Sequence, residues 1–259
     1  MSTSSHCETS SAKAQSEPIA LFVSDIHLSE ALPKTTTSFL NFLNTHAIHA
    51  EHVYLLGDLF EYWAGDDDCD SSYHQQIIQA LRALTDRGVQ TYWIAGNRDF
   101  LIGEHFASLT GIQMLNDPCQ LQLAGRQLLV SHGDALCTDD VDYMAFRSVV
   151  RQSAWQAQFL TKPLSERKAI IEGMRHASNS EQQNKSMAIM DVNLSAVSKL
   201  HQQFPNSVLI HGHTHRTALH HEAEGLRYVL PDWDCDHADK PRGGWLQLTP
   251  DGILNFVHL

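Results

Sequence analysis

The chain has 259 residues, is 42% hydrophobic and carries a formal charge of −12 at pH 7, which bounds it to one domain with an insertion or two small domains. So acidic a balance argues against general nucleic-acid binding, because attraction to phosphates needs a basic surface. Five cysteines, none in a CxxC pair, suit a reducing cytosol without a disulfide framework.

Residues 1–17 are rich in Ser, Thr and Glu, lack an apolar core and read as a disordered tail, not a signal peptide. No apolar run approaches the length of a membrane span, so the protein is expected to stay on the cytoplasmic side where it is made. From residue 18 strands and helices alternate. A strand at 18–24 leads to a helix near 33–48, opened by Pro33. A strand at 52–57 leads through the acidic loop Asp66, Asp67, Asp68, Asp70 to a helix near 73–87, which Gly88 stops. A strand at 89–95 precedes a short helix near 101–110, and strands at 118–124 and 126–131 form a hairpin across Ala124-Gly125. Helices follow at 140–158, 164–177 and 186–203. Strands return at 207–211, 217–222, 226–230, 244–249 and 252–257. Alternating β and α, then antiparallel strands, predict two packed sheets flanked by helices. The body spans 18–138 and 205–259, and 139–204 is a helical insertion.

The insertion differs in charge. Residues 141–203 hold eight Lys/Arg against five Asp/Glu, a net +3 in a chain that is otherwise −15. Any one of these cations reads as an ordinary solvated residue. As a group, a basic segment with apolar stripes suggests contact with an anionic ligand or a membrane surface.

Five short segments carry the chemistry: Asp25-Ile26-His27, Gly57-Asp58, Gly96-Asn97-Arg98-Asp99, Ser131-His132-Gly133-Asp134 and His211-Gly212-His213-Thr214-His215-Arg216. Each holds a carboxylate, imidazole or carboxamide, the donors that borderline divalent ions accept. Each closely follows an apolar run that reads as a strand, and ligands at the carboxyl ends of neighbouring strands converge on one crevice. Alone, Asp-x-His or Gly-Asp is no more than a turn or cap. All five, in this order, point to a metal site. Most of the seventeen histidines, among them His46, His49, His52, His220 and His221, show no partner pattern and read as surface scatter.

In these segments the chain resembles the calcineurin-like metallophosphoesterases. Their pattern is Asp-x-His, Gly-Asp, Gly-Asn-His-Asp/Glu, a further His and Gly-His-x-His. The resemblance implies an α/β fold, a four-layer α/β/β/α sandwich, with the helical insertion as a lid. It implies two Mn²⁺ ions, one held by Asp25, His27, Asp58 and His213, the other by Asp58, Asn97, His132 and His211. It places Asp58, Asn97, Arg98 and His132 in catalysis. Arg98 stands where most members carry a histidine. A guanidinium cannot deliver a proton at neutral pH but can grip a phosphate bidentately, so a leaving group that needs little protonation, such as another phosphate, is expected.

Longer segments are similar to one branch of that family, the UDP-2,3-diacylglucosamine pyrophosphohydrolases of lipid A biosynthesis. They are Gly57-Asp58-Leu59-Phe60-Glu61-Tyr62-Trp63 with Gly65-Asp66-Asp67-Asp68, Gly96-Asn97-Arg98-Asp99-Phe100-Leu101, Leu136-Cys137-Thr138-Asp139-Asp140 and Lys185-Ser186-Met187-Ala188-Ile189-Met190-Asp191-Val192-Asn193. This resemblance implies hydrolysis to UMP and 2,3-diacylglucosamine 1-phosphate, with water attacking the α-phosphorus. Asn97, Arg98, Asp140, Ser178, Gln182, Lys185 and His211 would contact the lipid-linked nucleotide sugar. Trp155, Phe159, Leu160, Ile170, Ile171 and Met174 are candidate lid-lining residues. Peripheral contact with the inner membrane is implied, and a monomer is the expectation for an oligomeric state that the sequence leaves open. The competing readings are a broader nucleotide-diphosphate or phosphodiester hydrolase, and a metal-free scaffold on the same fold.

Overall fold

The computed structural model describes residues 17–182, 191–237 and 239–259. Six strands form the first sheet. β1 (Ala20–Val23), β2 (His52–Leu56), β3 (Gln90–Ile94) and β4 (Gln113–Met114) run parallel; β10 (Gly244–Leu248) lies antiparallel to β1, and β11 (Leu254–His258) is antiparallel to β10. Five strands form the second sheet, in the order β5 (Cys119–Leu123), β6 (Arg126–Val130), β7 (Val208–His211), β9 (Leu226–Val229) and β8 (Ala218–His221). Its central pairs, β6 with β7 and β7 with β9, are parallel.

The alternation of side chains along each strand sorts the core into layers. Phe22, Tyr54, Leu56 and Ile94 of the first sheet pack on Leu128, Val130, Val208 and Ile210 of the second. Tyr54 stacks between Phe22 and Tyr92, with ring centroids 5.0 and 4.7 Å away. The opposite faces of those strands turn Leu21, Val23, Val53, Leu55 and Trp93 toward α1 (Pro33–Thr45), α2 (Ser72–Asp86) and α3 (Glu104–Thr110). Those helices supply Phe39, Phe42, Ile77, Leu81 and Phe106. Behind the second sheet, Leu129 and Leu209 bury against Val197 of α7 (Leu194–Gln203). Helices, sheet, sheet and helix make four layers. Complete burial of one such apolar side chain stabilises the fold by about 1.5–3 kcal/mol.

Between Leu136 and α7 the chain leaves this body. The helix expected over 140–158 is two, α4 (Val141–Val150) and α5 (Ser153–Leu160), because Gln152 is extended (φ −75°, ψ 130°) and begins a new helix. α6 (Leu164–Gln182) follows. α7, grouped with the insertion by sequence, packs on the second sheet.

The cations of this segment are turned inward. Arg147 binds Asp134 at 2.7 Å, and Arg151 donates to the carbonyls of Ala95 and Gly96 at 3.2 and 2.9 Å. Arg167, 1% exposed, donates to the Ala64 carbonyl and pairs with Asp67. Lys168 meets Asp68 at 2.7 Å, and Arg175 pairs with Glu61. Five of the eight basic side chains therefore neutralise or cap the acidic body. The acidic loop at Asp66–Asp70 is a docking surface for α6, not a free turn, and these five cations do not form an open anionic-ligand face. No helix among the described residues is long and apolar enough to cross a membrane.

Candidate metal centre

The five segments meet at the carboxyl ends of the parallel strands. After β1 the chain turns sharply through Asp25 and His27, both left-handed (φ 52° and 54°), and Asp58 after β2 is left-handed too (φ 52°). Gly57 and Gly96 allow the two loops to touch. A Cβ on Gly96 would lie 2.1 Å from the Asp58 nitrogen, and one on Gly57 would lie 2.5 Å from His132 Nδ1. Buried Asp99 ties the loops together by accepting the backbone N–H groups of Asp58, Leu59 and Gly96 at 3.3, 2.8 and 2.9 Å.

Asp58 is central. Its Oδ2 lies 3.9 Å from His27 Nε2, while its Oδ1 lies 3.7 Å from His132 Nε2 and accepts the Arg98 N–H at 2.8 Å. On the first side, Asp25 is fully buried and its Oδ2 accepts the Ser24 hydroxyl and the His213 N–H, at 2.6 and 2.8 Å. Its Oδ1 has no hydrogen-bond partner and lies 3.4 Å from His215 Nε2. His27 and His215 face each other at 3.4 Å between Nε2 atoms. On the second side, Asn97 Oδ1 lies 2.9 Å from His132 Nε2 and 2.8 Å from His213 Nδ1.

Among the described residues there are two groups whose ligand atoms all lie within 4.8 Å of one another, Asp25 with His27 and His215, and Asp25 with Asp58 and His132. The donors fit a divalent cation. His132 Nδ1 can only donate to the Leu56 carbonyl, 2.9 Å away, so the neutral ring turns an Nε2 lone pair toward the Asn97 oxygen. Two acceptors that close repel unless a cation or a proton intervenes. Burial disfavours a charged His132, yet Asp58, Asp25 and Asp134 push its pKa up to about 9; the pocket wants positive charge. Burial also opposes ionisation of Asp25, but the His215 contact and the neighbouring imidazoles hold its carboxyl far below the usual range. Burial, then the charge of His132, draws His213 down to about 4, which keeps its ring neutral as a ligand must be.

The structure corrects one position. His211 is the last residue of β7, and its ring contacts the Gly212 carbonyl at 2.9 Å and the Arg227 guanidinium at 3.3 Å. The Arg227 cation sits at the nitrogen that would bind a metal, so the His211 ring is engaged away from the ligand cluster. The histidines that join the cluster are His213 and His215, both left-handed (φ 68° and 55°). His213 moves from the Asp25 group to the Asn97 group. His215 takes its former place, with its Nδ1 3.6 Å from Asp232. The signal for His215 was present, since His213-x-His215 repeats the spacing of Asp25-x-His27. Accordingly, His215→Ala is expected to weaken Mn²⁺ binding on the order of 10-fold or more, and His211→Ala to leave it unchanged while lowering stability. Isothermal titration with Mn²⁺ distinguishes them; equal losses of affinity would return His211 to the site.

Glu61 links the centre to its surroundings. It lies 3.0 Å from His27 Nδ1, pairs with Arg175 of α6 and lies 3.9 Å from Arg98. Burial would raise its pKa, but His27 and the two guanidiniums hold it near 2. Asp140 caps α4 by accepting the Tyr143 N–H at 3.1 Å. The Ser178 and Gln182 side chains and all of Lys185 lie outside the described residues.

A two-sheet sandwich with this cluster at its strand ends is the arrangement of a phosphoesterase, and the chain belongs to the calcineurin-like phosphoesterase family, whose profile matches residues 20–217. Within it, the chain is similar to proteins named UDP-2,3-diacylglucosamine hydrolase. The one from Aromatoleum aromaticum is 45% identical, over 92% of this chain and 97% of its own. That from Haemophilus influenzae is 46% identical, over 91% and 97%, and that from Bordetella pertussis 44%, over 90% and 92%.

Proposed function

We propose that the protein hydrolyses UDP-2,3-diacylglucosamine at its pyrophosphate bond, giving UMP and 2,3-diacylglucosamine 1-phosphate, in lipid A biosynthesis. The observation that supports a two-ion centre is the placement of Asp58, whose two oxygens face the two ligand groups. Asp25, His27, Asp58 and His215 would hold one ion, and Asp58, Asn97, His132 and His213 the other. Mn²⁺ suits this mixed oxygen and nitrogen set. Two ions there would supply charge for the phosphoryl oxygens and lower the pKa of the attacking water.

The remaining work falls to the side chains. Arg98, whose N–H is fixed on Asp58, presents its guanidinium to the diphosphate. Water adds to the α-phosphorus, and the bond to the bridging oxygen breaks. That oxygen leaves on the sugar 1-phosphate, which needs no proton from Arg98. Asp140, Ser178, Gln182 and Lys185 complete the substrate contacts.

The helical segment would cover the acyl chains. Trp155, Phe159, Ile170 and Ile171 pack against the body's core, whereas Leu160 and Met174 are 41% and 42% exposed. Val141, Phe146 and Val149 are exposed on the same segment, as is Leu194 where α7 begins. They fit a protein that meets its lipid substrate at the cytoplasmic face of the inner membrane. Each buried methylene contributes roughly 0.8 kcal/mol, and binding energy from such remote groups can position the diphosphate. Removing four methylenes should lower kcat/KM roughly 10²-fold. Met174→Gln should also lower it without unfolding the chain. The deciding assay compares the diacyl substrate, its short-chain forms, UDP-N-acetylglucosamine and UDP-glucose, with Mn²⁺ and with chelator, below the micellar concentration. Equal cleavage of UDP-glucose would reject the lipid substrate in favour of a general hydrolase.

A further inference from the structure

We propose that Arg151 is a positioning residue for one ion of the centre, the one assigned above to Asp58, Asn97, His132 and His213. The proposal rests on the two-ion reading. Arg151 ends α4, yet its guanidinium lies against the loop after β3. One terminal nitrogen donates to two successive carbonyls, Ala95 at 3.2 Å and Gly96 at 2.9 Å, and Asn97 follows directly. The same nitrogen is 3.5 Å from Asp134, two residues past His132. The guanidinium thus spans the loops that carry Asn97 and His132.

The need for this contact follows from Gly96. Only a residue without a Cβ fits against Asp58, and glycine leaves the adjoining peptide planes free to rotate. Towards the body, the loop is held by the Gly96 N–H on Asp99 and the Arg98 N–H on Asp58. The first of these also orients the Ala95 carbonyl, which shares its peptide plane, but neither restrains the Gly96 carbonyl. Arg151 does, with its own position fixed over the Phe100 ring at 5.3 Å. Neutralising Asp134 is not its main task, because Arg147 binds both oxygens of that carboxylate at 2.7 and 3.3 Å and Tyr143 donates to it at 2.5 Å. The Asp25, His27 and His215 group receives no contact from Arg151.

The test is Mn²⁺ binding by electron paramagnetic resonance and calorimetry, read without substrate. Arg151→Met keeps the stem on Phe100 and removes the donors. The weaker step should rise in Kd on the order of 10- to 100-fold, the effect typical of lost support around a ligand. The other step should not move, so at two equivalents the spectrum changes from a coupled pair to an isolated ion. Arg151→Lys, which keeps a donor, should fall between. Lys168→Met cuts another tie between helical segment and body and should leave both steps intact. Unchanged binding in Arg151→Met, equal loss of both ions, a lysine variant no better than methionine, or the same change in Lys168→Met would each overturn the proposal. Wild-type protein that binds fewer than two ions would sink the two-ion reading itself.

Discussion

Asp58→Ala is expected to abolish Mn²⁺-dependent turnover, with kcat down on the order of 10³-fold or more at saturating Mn²⁺, since charge stabilisation by such ions is worth several kcal/mol. Among the described residues no other side chain sets one oxygen toward His27 and the second toward His132. Its loss removes the shared ligand and also leaves the Arg98 N–H without its acceptor, so the Asn97 loop loosens too. Asp58→Asn separates these contributions, because an amide oxygen can still accept that N–H but carries no charge to share between cations. It should keep the fold's stability closer to wild type and recover little activity. Rates at increasing Mn²⁺, with metal content measured on the same samples, give the answer. Turnover within tenfold of wild type for Asp58→Ala would refute a bridged centre.

Arg98→Ala should lose about 2–4 kcal/mol of transition-state stabilisation, the scale for removing one preorganised electrostatic donor, a fall in kcat of roughly 30- to 10³-fold. The loss should appear in kcat more than in KM, since charge on the transferring phosphoryl group grows toward the transition state. Arg98→Lys should recover part of it, because an ammonium supplies charge without the planar fork. Arg98→His should not recover it, since a sugar 1-phosphate leaves without a proton. Single-turnover rates for the four proteins decide the matter. Full rescue by histidine would show that a proton donor is needed at this position.

The strand-to-loop order was legible because β1, β2, β3, β6 and β7 each contain an apolar run of three or more residues that leads directly into a polar motif. β4 was not, being two exposed residues, Gln113 and Met114, that pair with Tyr92 and Trp93; nothing in their own composition marks a strand. The break between α4 and α5 was hidden for a similar reason, since Arg151-Gln152 contains no glycine or proline and the turn is set by where the two helices dock. The histidine offset has a different origin. His211, His213 and His215 alternate along the chain, so both neighbouring pairs, 211/213 and 213/215, have the spacing of a ligand pair. The pleat of β7 fixes where His211 points, whereas the left-handed turns at His213 and His215 bring those rings back to the crevice. Such a turn is a tertiary outcome. Composition revealed the charge contrast between insertion and body, but not that Arg147, Arg167, Lys168 and Arg175 would meet body carboxylates; that depends on which faces pack together.

Among the described residues, five of the seven non-glycine residues with positive φ are Asp25, His27, Asp58, His213 and His215. Each left-handed backbone costs about 1 kcal/mol or more for a side chain of that kind, and the surrounding core must offset it. Glycine or asparagine would relax every one of these turns. A directed search for heat tolerance would therefore find easy gains at positions 27 and 215, and each gain would discard an imidazole. At these five positions conformational tension and chemical need coincide, so relaxing their turns hardens the fold only by disarming it.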